Sequence, residues 1–66
     1  MYINREIEIF LREAEMPATK FGRLAVRDPR LVLDMRGGRE LRPAMEIRLR
    51  HFMAGYRAAV KMAMAT

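Results

Sequence analysis

Thr19-Lys20-Phe21-Gly22-Arg23-Leu24-Ala25-Val26-Arg27-Asp28-Pro29-Arg30-Leu31-Val32 is the stretch whose reading settles what kind of fold this chain adopts. Its first part, about 18–26, spaces Phe21, Leu24 and Ala25 as one helix face, which predicts that these three form the buried side. Gly22 stands out there, because glycine costs about 1 kcal/mol against alanine in a helix interior. Another helix backbone passing too close for any side chain would account for it. Asp28-Pro29 then signals a new helix. Aspartate is a favoured N-cap, and proline fits the first helical position, where its missing N–H is no loss. Leu31, Val32 and Met35 are that helix's candidate core residues. Gly37-Gly38 stops it, since glycine readily takes the left-handed conformation found beyond a helix C-terminus. Two short helices, a very short turn and a small residue at the crossing make the pattern of a helix-turn-helix.

Outward from this unit the chain reads as helix on both sides. From about Asn4 to Glu15, Ile3, Ile7, Phe10, Leu11 and Ala14 recur at three- and four-residue spacing, with Asn4 as the expected N-cap. From Pro43 to about Met64 nothing breaks a helix. Met45, Leu49, Phe52, Tyr56, Val60 and Ala63 form one long stripe. Its first half is enough to close a small core, and its second half, from Tyr56 on, should extend past it. Prolines 17, 29 and 43 each fall near a helix start. The expected architecture is all-α: one compact domain over 1–66, of four to five helices, containing a helix-turn-helix and ending in a long helix over about 43–64.

Composition narrows the function. The 66 residues contain no cysteine and one histidine, which rules out a thiolate or histidine metal cluster. His51 lies beside Phe52 without an acid or nucleophile partner, so a surface or packing role is expected. No nucleophile–base pair or glycine-rich phosphate loop is present, and no enzyme activity, cofactor or metal is expected. No apolar run reaches the roughly 18–20 residues of a membrane span. The N-terminus lacks the basic-then-apolar order of a signal peptide, which points to the cytoplasm. The net charge of +5 is unevenly spread. Residues 1–16 carry two arginines against four glutamates, whereas residues 17–42 carry seven cations against three acids. Such a basic middle fits a polyanionic partner or, equally, a solubilising surface.

The quoted stretch, with Gly37-Gly38-Arg39 after it, resembles small bacterial and phage proteins of the lambda-repressor-like, Cro-type helix-turn-helix class, including short alphaproteobacterial regulators. The resemblance covers about residues 5–53. It implies a compact helical bundle, operator binding and usually a homodimer. By this resemblance Thr19 and Lys20 meet DNA phosphate, Arg30, Leu33 and Asp34 face base edges, and Gly38-Arg39 close the recognition helix and touch the backbone. The chain departs from that class in two places. The usual turn glycine is replaced by Val26 followed by Arg27, so the turn must rest on Asp28-Pro29, and a glutamine at the start of the first helix of the motif is missing.

The leading expectation is therefore a sequence-specific, double-stranded-DNA-binding transcriptional regulator. Its recognition helix, about 29–36, would enter the major groove. Arg30 can fork to guanine O6 and N7, or simply pair with Asp34 four residues on. Arg27, Arg36, Arg39 and Arg42 are candidates for phosphate contacts. Met16, Met35, Met45 and Met53 fit the core or its edge. Tyr56, Val60, Met62 and Ala63, with Met64, fit a homodimer seam, because methionine adapts to irregular surfaces. The competing expectation is a helical adaptor that docks the Met- and Ala-rich last helix on another protein.

Overall fold

The computed structural model describes residues 2–65, and every regular element in them is an α-helix. There are four: α1 (Ile3–Glu13), α2 (Ala18–Val26), α3 (Leu31–Arg36) and α4 (Pro43–Ala65). The all-helical class and the long last helix agree with the sequence pattern.

Phe10 sits at the centre of the core. Its ring packs against Phe21 of α2 at 5.5 Å and against Phe52 and Tyr56 of α4 at 6.2 and 5.3 Å between centroids. These are tilted or edge-on pairs, the arrangement ring quadrupoles favour. Around the rings, Ile7, Leu31, Val32 and Leu49 are fully buried, so each helix contributes at least one anchor. Met16, Met35 and Met53 are buried as well, and Met45 is half-buried against the cluster.

The helix ends follow backbone chemistry more closely than side-chain capping. α1 starts at Ile3 with Tyr2 as its N-cap and no side-chain capping bond, so Asn4 lies inside the first turn and does not cap it. The Tyr2 carbonyl already accepts from the N–H groups of Arg5 and Glu6, which leaves Asn4 no capping position. α1 ends at Glu13, earlier than Glu15, because Glu15 adopts a left-handed conformation (φ 50°). There the Met16 N–H reaches Leu11 O at 3.0 Å and the Glu15 N–H reaches Arg12 O at 3.3 Å. This is a Schellman closure, and the buried Met16 and Leu11 supply its usual apolar contact. α3 ends by the same motif, with Gly38 at φ 107°, Gly38 N–H to Met35 O and Arg39 N–H to Asp34 O. Here the left-handed residue is the glycine that the sequence supplies.

α4 begins on Pro43 and runs for 23 residues, about 35 Å. Its last fully buried residue is Met53, and every described residue from Arg57 on is exposed. The molecule is accordingly elongated, 40 × 22 × 22 Å, with the end of α4 projecting from the helical cluster.

Candidate nucleic-acid interface

The α2–turn–α3 unit is fixed at one backbone crossing. α2 closes on Arg27 in a left-handed conformation (φ 58°), and the Asp28 N–H then donates to Gly22 O at 3.0 Å. That bond draws the turn against α2. A Cβ built on Gly22 would lie 2.1 Å from the Asp28 carbonyl oxygen, a distance at which no side chain fits. Gly22 does lie at a close approach, but the backbone there is that of the turn, at Asp28, and not the backbone of another helix.

Asp28 organises the turn with every polar atom it has. Its Oδ1 accepts the Arg30 N–H at 3.1 Å, its carbonyl accepts the Leu31 N–H at 3.1 Å, and its Oδ2 accepts from Arg39 Nη1 at 3.0 Å. The side chain thus closes the turn rather than capping α3, whose N-cap is Arg30 with no side-chain capping bond. The first turn is tight, so Pro29 and Arg30 are turn residues and regular α-helix begins at Leu31, two residues later than Pro29 at the first helical position. The Arg39 guanidinium, followed by the Arg30 backbone N–H, holds the Asp28 carboxyl below the ordinary carboxylate range.

Leu24 corrects the pattern read from α2. It is 49% exposed, while Phe21 and Gly22 are buried and Ala25 is half-buried. The short turn presses α3 against the Gly22 side of α2, which rotates Leu24 out of the core. Lys20 and Arg23, one helical step apart on α2, are exposed like it, and so is Arg27 in the turn. Arg23 was not among the candidate contacts. The 20–23 spacing carries the signal, but only once the buried side of α2 is known.

The other candidate residues divide into two groups. Thr19, Lys20, Arg27 and Arg42 are exposed. Arg30 is 81% exposed at its side chain, with only a 4.0 Å approach to Asp34 Oδ1, and Leu33 is 49% exposed on the outer side of α3. Against these, Arg36 is held by Glu8 of α1 through a two-pronged pair, Nε–Oε2 and Nη2–Oε1, both 2.8 Å. Arg39 is drawn to Asp28 and, at 3.5 Å, to Asp34. The Asp34 carboxylate consequently has cations on both sides. Hydrogen bonding to Arg36 holds the Glu8 carboxyl down and raises the Arg36 guanidinium.

A simple electrostatic division results. Glu6 is paired with Arg50, Glu8 with Arg36, Glu13 with Arg57, and Asp28 and Asp34 with Arg39. Among the described residues, Lys20, Arg23, Arg27, Arg42 and Arg48, together with Arg5 and Arg12 of α1 and Lys61 of α4, form no ion pair. No group of three His, Asp or Glu among those residues is placed to hold a metal, and no helix is long and apolar enough to cross a membrane. Comparison of the chain with family models, with curated proteins and with solved structures finds no match.

Proposed function

We propose that the chain is a sequence-specific DNA-binding regulator in which α2, the turn and α3 act as a helix-turn-helix. The observation carrying this reading is the set of exposed cations Lys20, Arg23, Arg27 and Arg30, spread over α2, the turn and the start of α3 without an acid committed to any of them at hydrogen-bond distance. On this reading α3 enters the major groove with Arg30 and Leu33 toward base edges. Lys20, Arg23 and Arg27, helped by Thr19 and Arg42, lie along the phosphates. Arginine suits both tasks, because its planar fork matches phosphate oxygens and the guanine edge. Arg36 and Arg39 are given a different part: they hold α3 to α1 and to the turn, which fixes the angle at which Arg30 is presented. Two copies would read half-sites about one helical turn apart.

Selection of bound sequences from a random DNA pool, followed by titration of the best binder at graded salt, tests the proposal. An enriched motif and a steep fall in affinity between about 50 and 200 mM salt are expected, since each neutralised phosphate releases counterions. No enrichment together with salt-insensitive binding overturns it. The adaptor reading draws on a different feature, an open apolar groove between the end of α1 and the far half of α4. It expects a protein partner to be lost, and DNA binding kept, when residues 57–66 are removed.

A further inference from the structure

That groove has a volume of about 470 Å³. Phe10 and Ala14 of α1 form one wall, and Tyr56, Val60 and Met64 of α4 form the other. Tyr56, Val60 and Met64 follow one another at four-residue steps, so they continue the core stripe of α4 beyond the point where the chain's own helices cover it. No described segment lies over them: Val60 is 41% and Met64 82% exposed. Three of the residues expected at a dimer seam, Tyr56, Val60 and Met64, are on this surface. Tyr56 is half-buried against Phe10, whereas Met62 falls on the opposite side of the helix from Val60 and Ala63 lies off the groove lining.

We propose that the groove is filled by the projecting half of α4 from a second copy of the chain, the two α4 helices running antiparallel about a two-fold axis near Val60. This deepens the dimeric part of the regulator reading by naming its surface, and its test is run without DNA so that the two can fail separately. A two-fold contact needs one patch that carries both the ridge and the hollow it fits. Here the Val60–Met64 end of α4 is the ridge, and the Phe10–Ala14–Tyr56 end of the same surface is the hollow. The charges are complementary in the same sense. Glu13 ends α1 at the groove and Glu15 follows just beyond it; of the two only Glu13 has an ion-pair partner among the described residues, Arg57. The far half of α4 carries Lys61, which has no ion-pair partner among the described residues. Seating one α4 over the other copy's α1 end brings unpaired cation toward unpaired acid at both symmetry-related edges. The patch is short, so the dimer belongs at the small end of specific interfaces, roughly 1,200 Å² in total, and exchanges at micromolar concentration.

Sedimentation equilibrium of the full chain from about 1 to 200 µM tests this, with circular dichroism to verify that each variant remains helical. The wild type should pass from monomer to dimer within that range. Val60→Asp places a charge on the axis and should remain monomeric throughout, at unchanged helix content because Val60 lies outside the core. Lys61→Glu should weaken the dimer about tenfold at low salt, and the difference should shrink at about 1 M salt, where the Debye length is roughly 3 Å. A wild type that is monomeric at every concentration, or a Val60→Asp variant as dimeric as wild type, overturns the proposal. A Lys61→Glu variant of unchanged affinity overturns the antiparallel placement over α1.

Discussion

Two faces of this small protein are rich in arginine and use it in opposite ways. On the face where α1 meets α3 and α4, Arg36, Arg50 and Arg57 each reach a glutamate of α1. Arg57 also lies 5.3 Å from the centre of the Phe10 ring, so its charge and its packing serve the fold together. On the face of α2 and the turn, Lys20, Arg23 and Arg27 have no such acid. The residue type is the same on both faces. What differs is the placement of carboxylates: α1 supplies three glutamates to the first face, Glu6, Glu8 and Glu13, and α2 contains no acid at all. Net charge therefore says little about where a polyanion would bind, whereas subtracting the internal pairs says a good deal.

The most drastic way to break the comparison is to destroy the geometry that presents the second face. Gly22→Ala forces a methyl group against the Asp28 carbonyl, and backbone cannot step aside as a flexible side chain would. Overpacking of this kind costs about 3 kcal/mol. In a domain this small that is most of the folding free energy, and the melting temperature should fall by roughly 12–24 °C. Thermal unfolding followed by circular dichroism measures it. A variant melting within a few degrees of wild type would show that the crossing is looser than the Asp28–Gly22 hydrogen bond implies.

Next in size is the direct contrast between faces. Replacing Lys20, Arg23 and Arg27 together by glutamine should lower DNA affinity about a hundredfold or more. It should also flatten the slope of log K against log salt by about 2.7, since each phosphate contact contributes roughly 0.9. Replacing Arg36 alone should leave that slope nearly unchanged, because its guanidinium is already engaged by Glu8. Equal slopes for the two variants would erase the distinction drawn between them. A finer version concerns Arg30→Ala. Discrimination should relax at one base pair per half-site by about 1–3 kcal/mol, with the rest of the sequence preference kept. A uniform loss across all base pairs would reassign Arg30 to the phosphates.

How much of this was legible beforehand depends on the range of the interaction concerned. Local signals carried far: the apolar stripe of α1, the start of α2 at Ala18, Pro43 at the start of α4, Gly37-Gly38 at the end of α3, and the crowding at Gly22 can each be read within a few residues. The start of α3 was placed two residues early, because Asp28 closes a tight turn that regular helix only then follows. Leu24 was assigned to the core because helix periodicity fixes which residues share a face but not which of two adjacent faces is buried. The turn made that choice. The pairs Glu8–Arg36 and Asp28–Arg39 span 28 and 11 residues, beyond the reach of any helical spacing rule. They could be found only in three dimensions, yet they decide which arginines remain open.

The smallest expected effect probes the closed face through pH. Hydrogen bonding from Arg36 holds the Glu8 carboxyl below its ordinary value in the folded protein, while in the unfolded chain that bond is gone and the carboxyl returns to the ordinary glutamate range. A carboxyl depressed by folding contributes stability that is complete above its unfolded value and is lost as pH falls through its folded value. Asp28, depressed by Arg39 and the Arg30 N–H, acts in the same direction. Acidification from pH 6 to pH 3 should therefore lower the melting temperature of the wild type more than that of Glu8→Gln. At neutral pH the two should differ by only about 1–3 °C, because solvent screens a pair this exposed. As the pH falls the two curves should converge. Parallel curves would mean that the Glu8–Arg36 contact has no energetic weight, and the closed face would then differ from the open one in geometry alone.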